Sequence, residues 1–129
     1  MIKINFSISS RYVVNRDKLR QTVERVLKDN RVDNAQLDIS VVGKRKIKQL
    51  NEAQLHHQGE TDVLTFPQHE RQQLNDFPSP KNELPHLGEI VINFPYAVES
   101  AKRYGKMVDD QLSFYLEHGL MHLMGYHHE

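Results

Sequence analysis

The C-terminal stretch Gln111–Glu129 constrains the fold of this chain more than any other segment, because it combines a helical apolar pattern with regularly spaced histidines. His118 and His122 are four residues apart, so on a helix their side chains share one face, with Cβ atoms roughly 5–6 Å apart. Two imidazoles placed in this way can hold one ion at metal–nitrogen distances of about 2.0–2.1 Å. The pattern therefore predicts a metal-binding helix.

Gly125 is the predicted stop of that helix, since helices commonly end on a left-handed residue and glycine adopts that conformation without strain. A chain that reverses at Gly125 can bring His128 back as a third ligand. Three histidine ligands leave a fourth coordination position open, as in a catalytic rather than a structural zinc site. We therefore predict His118, His122 and His128 as the metal ligands.

A structural role for the histidines is the alternative. A single histidine in a buried helix is more often a neutral, hydrogen-bonded core residue than a ligand. Two histidines at this spacing, followed by a glycine stop and a third histidine, favour the metal site. The helix is expected to be buried because its apolar residues lie nearly all round it: Leu112, Phe114, Tyr115, Leu116, Leu120, Met121, Leu123 and Met124.

The histidine spacing also matches the long zinc-protease motif H-E-x-x-H-x-x-G-x-x-H with one change. The glutamate that acts as general base in that motif is replaced here by Gly119. Glu117 cannot take its place, because a residue on a helix lies about 100° round the axis from its neighbour. The geometry predicted is that of a zincin helix, and peptidase chemistry is not supported.

Three stretches of the sequence together resemble a known family. HGLMHLMGYHH is similar to the H-G-x-L-H-L-x-G-Y-D-H signature of the bacterial rRNA-maturation endoribonucleases known as YbeY. Thr61–Pro67, TDVLTFP, resembles the T-D-V-L-S-F-P segment of that family, and Leu87–Asn93, LGEIVIN, resembles its L-G-D-I-V-I segment. The three matches occur in the family's order and extend over most of the chain.

The resemblance implies a function, a cofactor and partners. It implies a metal-dependent endoribonuclease that takes part in rRNA maturation, processing the 3′ end of 16S rRNA, and in ribosome quality control. One Zn²⁺ per chain is expected, although imidazole also suits copper, nickel and iron. The expected partners are rRNA and the small ribosomal subunit or its proteins. The alternatives are a metal-dependent hydrolase of another substrate and a non-catalytic ribosome-associated factor with a structural metal.

Two departures from the family pattern concern catalysis. The aspartate of the signature is His127 here, and the arginine usually found six residues before the T-D-V segment is Leu55. His127 is a candidate proton shuttle, since histidine titrates near neutrality, or else a solvent-exposed residue at a fraying terminus. Asp62 is a second catalytic candidate. It could orient a ligand imidazole by accepting its far N–H, or it could be a turn residue ahead of a strand.

The missing arginine leaves a question about how a phosphate would be held. An arginine presents a fixed fork of donors that suits a phosphodiester, and leucine cannot do this. Two replacements are open. Either the basic run on the same predicted helix, Lys44, Arg45, Lys46 and Lys48, supplies the charge, or His56 or His57 does so next to Leu55.

Charge and composition narrow the class of protein. Seventeen basic residues balance seventeen acidic ones, so RNA binding must depend on a local patch. The chain has no cysteine, which excludes disulfides and thiolate zinc sites and is compatible with a reducing cytoplasm. No apolar run approaches the roughly 18–20 residues needed to span a membrane, and the N-terminus lacks a signal-peptide pattern. We expect a cytoplasmic protein that binds neither membrane nor DNA.

The order of predicted elements is β-α-β-α-β-loop-β-α-α, which indicates an α+β fold in a single domain spanning residues 1–129. Strand patterns begin at Ile2, Leu37, Val63 and Glu89. The first two crossovers should be right-handed and join parallel strands, and the polar loop Gln68–His86 permits an antiparallel return. The expected architecture is a mixed four-stranded sheet with a zincin-like metal helix packed against it.

Local signals predict where the helices begin and end. Asn15 or Asp17 should cap the first helix, because both side chains can accept a hydrogen bond from a backbone N–H of the first turn. Gly105 should end the third helix. Asp109 or Asp110 should then open the metal helix.

Overall fold

The computed structural model describes residues 1–55, 61–68 and 84–125, and within these ranges four strands form one sheet flanked by four helices. The strands are β1 (Ile2–Ile8), β2 (Ala35–Val42), β3 (Val63–Pro67) and β4 (His86–Asn93). The helices are α1 (Arg16–Asp29), α2 (Lys44–Leu55), α3 (Phe94–Tyr104) and α4 (Val108–Leu123). No helix in the described ranges is long and apolar enough to cross a membrane.

The sheet has the strand order β1-β2-β4-β3. β1 and β2 are parallel, β2 and β4 are parallel, and β3 is antiparallel to β4. The predicted α+β class and mixed four-stranded sheet are confirmed, as are the parallel first crossover and the antiparallel return between the last two strands. The prediction for the second crossover is wrong, because β3 runs antiparallel to β2 and is not its neighbour.

The position of β3 follows from burial and backbone chemistry. In β4, Ile90, Val91 and Ile92 are all almost completely buried, so side chains on both faces of this strand need cover. A central position in the sheet, beside β2, covers the side chains on both faces of β4. β3 is shorter and ends in Pro67, which has no backbone N–H and is therefore suited to the edge of a sheet.

Two hydrophobic clusters lie on opposite faces of the sheet, because successive strand residues point to opposite sides. The larger cluster joins α1, α3 and α4 to one face and includes Ile90 and Ile92 of β4. The smaller cluster places Ile47 of α2 against Leu64 and Val91 on the other face. The predicted metal helix therefore lies on the face opposite α2.

Most of the predicted helix ends are confirmed. Asn15 is the N-cap of α1, and its side chain accepts a hydrogen bond from the Lys18 N–H at 3.1 Å. Asn93, which was not predicted as a cap, begins α3 in the same way and accepts from the Tyr96 N–H at 3.1 Å. Gly105 ends α3 with a left-handed φ of 64°. Each of these ends depends on contacts within a few residues, which is why local sequence signals identify them.

The predicted start of α4 at Asp109 or Asp110 is wrong, since its N-cap is Met107, which makes no side-chain cap hydrogen bond. Both carboxylates are used between helices instead. Asp109 Oδ1 accepts a hydrogen bond from the Asn15 N–H at 3.2 Å, and Asp110 forms an ion pair with Lys18. The start of α4 is thereby held beside the start of α1, and the two helices run in the same direction.

Candidate functional site

The histidines of α4 do not lie in the core. His118 is exposed and His122 is half-buried, and Phe114 has 57% of its surface exposed, so the helix is not buried on all sides. The alternative in which each histidine is a buried core residue does not describe this helix. The side of α4 that packs into the core carries Gln111, Leu112, Tyr115, Leu116, Gly119, Leu120 and Leu123.

The two imidazole rings face each other across one helical turn. Their Nε2 atoms lie 2.7 Å apart, and the rings stack with centroids 4.6 Å apart and planes 15° from parallel. At this distance one ring nitrogen donates a hydrogen bond and the other accepts it. Two nitrogens on a tetrahedral ion with bonds of about 2.0–2.1 Å are about 3.3 Å apart. A separation of the rings by a few tenths of an ångström would therefore allow both Nε2 atoms to bind one ion.

The third predicted ligand, His128, lies outside the described residues, and so does His127. Within residues 1–55, 61–68 and 84–125, no group of three or more His, Asp or Glu side chains is placed to hold a metal ion. The predicted ligand set therefore has two members, His118 and His122, in the described part of the chain, and the complete set stays a prediction.

Gly125 has the left-handed conformation predicted for the end of the metal helix, and the return of His128 stays a prediction. Its φ is +87°, a value that L-residues with a side chain rarely adopt, and its N–H donates to the His122 carbonyl at 3.0 Å. Among the described residues, no atom lies within 4 Å of an ideal Cβ at this position. The requirement for glycine is therefore conformational and not steric.

Gly119 brings the three family-like stretches together. Thr61–Pro67 supplies β3 and Leu87–Asn93 supplies most of β4, and Thr65 pairs with Ile90 across these strands. An ideal Cβ on Gly119 would lie 3.0 Å from Ile90 Cγ2 and 3.2 Å from Thr65 Cγ2. The helix can approach the two strands this closely because residue 119 has no side chain.

The same contact disfavours a glutamate at position 119, where a zinc protease carries its general base. A glutamate at position 119 would have to displace side chains of both strands at its first carbon atom. Glu117 is also committed elsewhere, since its Oε2 accepts a hydrogen bond from Arg25 Nη2 of α1 at 2.9 Å. That hydrogen bond, together with the negative charge of Glu117, raises the pKa of Arg25. Glycine at position 119 is therefore favoured by packing against the two strands.

Asp62 makes the hydrogen bonds of a turn residue. Its Oδ1 accepts from the Val63 N–H at 2.7 Å and from the Thr61 hydroxyl at 3.2 Å. Its carbonyl accepts from the Asn93 N–H at 2.9 Å. These contacts fix the entry to β3, and orientation of a ligand imidazole by Asp62 stays a prediction.

Asn93 holds this part of the site and was not singled out from the sequence. It is completely buried, and its Nδ2 donates to the Thr61 carbonyl at 3.0 Å while its Oδ1 caps α3. It thus joins the segment before β3 to the end of β4 and the start of α3. The available signal was an asparagine directly before Phe-Pro, a typical N-cap position.

The basic run lies at the opposite end of α2 from Leu55. With a rise of about 1.5 Å per residue, Lys48 is about 10 Å and Lys44 about 16 Å along the helix from Leu55. Lys48 is therefore the member of the basic run nearest to position 55, and replacement of the family arginine by this run stays a prediction. The Leu55 side chain and residues His56 and His57 lie outside the described part of the chain.

Lys44, Arg45 and Lys46 of the basic run line a cleft of about 700 Å³ together with Arg11. Arg11 was not recognised from the sequence. Because β1 and β2 are parallel, the segments that follow them leave the same edge of the sheet, and this is the signal that could have joined Arg11 to Lys44, Arg45 and Lys46.

The fold and the histidine pair together define a class, an α+β protein whose helix carries H-G-x-x-H where zinc proteases carry H-E-x-x-H. The sequence profile of the endoribonuclease YbeY family matches residues 4–129. The chain belongs to this family, as its motifs predicted.

Individual relatives agree with this assignment. An endoribonuclease YbeY of Dehalococcoides mccartyi is 37% identical over 124 residues, which cover 91% of this chain and 78% of the relative. That of Persephonella marina is 31% identical over 128 residues, which cover 99% of this chain and 78% of the relative. A solution structure of a Thermotoga maritima protein superposes with a TM-score of 0.60 at 25% identity, covering all of this chain and 75% of the other.

Proposed function

We propose that this chain is a metal-dependent endoribonuclease that matures rRNA. Membership of the endoribonuclease YbeY family confirms the enzyme class predicted from the motifs, a nuclease that hydrolyses RNA phosphodiester bonds. The observation that carries metal dependence is the convergence of the His118 and His122 Nε2 atoms on the outer side of α4.

The residues present fit a zinc ion. His118 and His122 would supply two nitrogen ligands, and His128, three residues after Gly125 in the sequence, is the proposed third. With three histidine ligands, Zn²⁺ lowers the pKa of water toward about 7 and polarises a phosphoryl oxygen. The chain has no thiolate to compete for the ion, because it has no cysteine.

The chain's own contribution is positioning. The close contact of Gly119 with Thr65 and Ile90 fixes α4 over β3 and β4, and therefore fixes the two imidazoles relative to the sheet. Position 119 offers no general base, so a proton must be moved by another group. We propose His127 for that role, because it adjoins His128 in sequence and histidine is the side chain most often used for general acid–base catalysis.

The proposed substrate is rRNA, including the 3′ end of 16S rRNA, and the proposed partner is the small ribosomal subunit or one of its proteins. The proposed location is the cytoplasm, which agrees with the absence of cysteine. The proposals for substrate and partner rest on the family and not on a contact in the structure.

The test is incubation of the zinc-loaded protein with rRNA and with a peptide library, each with and without chelator, beside the His118→Ala variant. We expect rRNA cleavage that is lost in the chelator and in the variant, and no peptide cleavage. Chelator-sensitive peptide cleavage would indicate a hydrolase of another substrate. Binding to ribosomal subunits without any hydrolysis would indicate a non-catalytic factor whose metal is structural.

A further inference from the structure

A cluster of positively charged side chains lies at the edge of the sheet where β1 and β2 end. The cleft of about 700 Å³ is formed by the turn after β1 and the first turn of α2. Tyr12 lies in it and is held in place by stacking on Phe94, with ring centroids 4.3 Å apart. The polar and charged side chains that line the cleft all include hydrogen-bond donors: Ser7, Ser9, Arg11, Tyr12, Lys44, Arg45, Lys46 and Gln49.

The positive charge of this cleft is only partly neutralised by the protein. Lys44 has a carboxylate partner, Glu99, at 3.4 Å. In the part of the chain that the structure describes, no carboxylate lies within ion-pairing distance of Arg11, Arg45 or Lys46. The chain as a whole has equal numbers of acidic and basic residues, so this accumulation is local.

The cluster is also placed where it opposes helix stability. The N-terminal end of a helix carries a partial positive charge, and acidic residues there are favourable by roughly 0.3–1 kcal/mol each, whereas basic residues are unfavourable. The first turn of α2 contains no acidic residue and begins Lys44-Arg45-Lys46. A bound anion would convert this repulsion into attraction, since the side-chain cations and the backbone N–H groups of the first turn would then face a negative charge.

The cleft is separate from the histidine pair. Asp109, near the start of α4, contacts Asn15, which follows the cleft residue Arg11 by four positions. From Asp109 to His118 the helix rises about 14 Å, and to His122 about 20 Å, at about 1.5 Å per residue. At the ~3.4 Å rise per nucleotide of a stacked strand, this length of helix corresponds to about four to six nucleotides.

We propose that this cleft binds the phosphate backbone of the RNA substrate several nucleotides away from the bond that is cleaved, with Arg11, Arg45 and Lys46 as the main contacts. The proposal rests on the proposed nuclease function. Guanidinium, ammonium, hydroxyl and backbone N–H groups are the donors that proteins use for phosphate oxygens. An acidic protein partner fits less well, because protein interfaces are dominated by buried aromatic anchors and the aromatic ring here, Tyr12, is already stacked on Phe94.

The test measures the salt dependence of RNA binding. The probe is a fluorescein-labelled single-stranded RNA of twelve nucleotides, kept intact by chelator, and binding is followed by anisotropy from low to high salt. The variant is Arg45→Gln/Lys46→Gln in the full chain. The matched control, Lys102→Gln/Arg103→Gln, removes two exposed cations from the last turn of α3.

We expect the cleft variant to lower the slope of log K against log salt by about 1.4, since each phosphate contact to a single strand contributes about 0.7. That slope difference corresponds to roughly 25-fold weaker binding at 0.1 M salt. The control should keep the wild-type slope. The charge-preserving variant Arg45→Lys/Lys46→Arg should bind like the wild type, which separates loss of charge from loss of fold.

RNA length provides a second readout. With zinc bound, the cleft variant should lose kcat/KM on the twelve-nucleotide RNA and keep it on a trinucleotide, which is too short to reach both sites.

Equal salt slopes for the cleft variant and the control would overturn the proposal, even if the protein cleaves RNA well. A reduced slope in a protein that cleaves no RNA would support RNA binding by the cleft and reject the nuclease function. Cleft-dependent binding of polyglutamate with an unchanged RNA slope would also overturn it, in favour of an acidic protein partner.

Discussion

Ile90 of β4 lies so close to Gly119 of α4 that an ideal Cβ on the glycine would be 3.0 Å from Ile90 Cγ2. This contact sets how near α4 can lie to the sheet. Because His118 precedes Gly119 directly and His122 follows it by three residues, the same contact sets the position of both imidazoles. A residue that performs no chemistry thus determines where the candidate metal site lies.

The first prediction concerns Gly119→Ala. Alanine in place of glycine within a helix normally stabilises by about 1 kcal/mol, whereas overpacking a core typically costs about 1–3 kcal/mol. With Ile90 and Thr65 both within 3.2 Å of the added carbon, we expect overpacking to exceed the propensity gain and stability to fall by about 0.5–2 kcal/mol in urea unfolding. Ile90→Leu, which has no Cγ2, should recover part of the loss in a double-mutant cycle. A more stable Gly119→Ala protein would show that the contact does not limit the helix position.

The second prediction concerns the ligand set. Single substitutions His118→Ala, His122→Ala and His128→Ala should each greatly reduce the zinc content, because two remaining imidazoles hold the ion poorly. His127→Ala is the matched control and should keep one zinc per chain, since the family spacing assigns the third ligand to His128. Metal analysis of the purified proteins is the measurement. Full zinc content in any two of the three ligand variants would remove the site as proposed.

The third prediction concerns Gly125, whose φ of +87° is a conformation that glycine adopts without strain. Gly125→Val should reduce zinc retention more than helix content, because a β-branched residue resists the left-handed conformation that turns the chain after α4. Gly125→Asn should retain more zinc, since asparagine tolerates that conformation better than other residues do. Circular dichroism and zinc analysis on the same samples test both. Loss of fold with normal zinc binding by the remaining folded protein would contradict the role given to the turn.

The fourth prediction concerns Leu55, at the C-terminal end of α2. The basic run begins about 16 Å and ends about 10 Å away along the same helix, so none of its cations occupies the position of the family arginine. We expect weak, salt-sensitive cleavage by the natural chain and stronger RNA binding or cleavage by Leu55→Arg, with the salt slope increased by about one phosphate contact and zinc binding unchanged. Leu55→Gln, polar but uncharged, is the control. Vigorous cleavage by the natural chain that Leu55→Arg does not improve would mean that no arginine is needed at this position.

The features that the sequence determined by itself are those with local causes. Asn15 caps α1 through the N–H three residues later, and Gly105 and Gly125 end helices through their own positive φ values. The alternation from Ile2 to Ile8 predicts β1, because strand side chains point alternately to two faces. His118 and His122 share a face of α4 because of helix geometry alone.

Tertiary structure decided the features whose partners are distant in sequence. Aspartate is a common helix N-cap residue, but Asp109 and Asp110 instead contact Asn15 and Lys18 at the start of α1. Both contacts join residues that are more than ninety positions apart in the sequence. β3 takes the outer edge because β4, buried on both faces, occupies the place beside β2. No local signal encodes either result, since each depends on which surfaces are available after the rest of the chain has packed.

The candidate site shows the same division. The sequence supplied the histidine pair, the glycine at position 119 and the basic run of α2. Only the packed chain showed that Gly119 lies against Thr65 and Ile90. It also showed that the start of the basic run lines one cleft with Arg11. The physical reason is that helix periodicity fixes the direction of a side chain relative to its own axis, whereas the neighbour it meets depends on where that axis lies on the sheet.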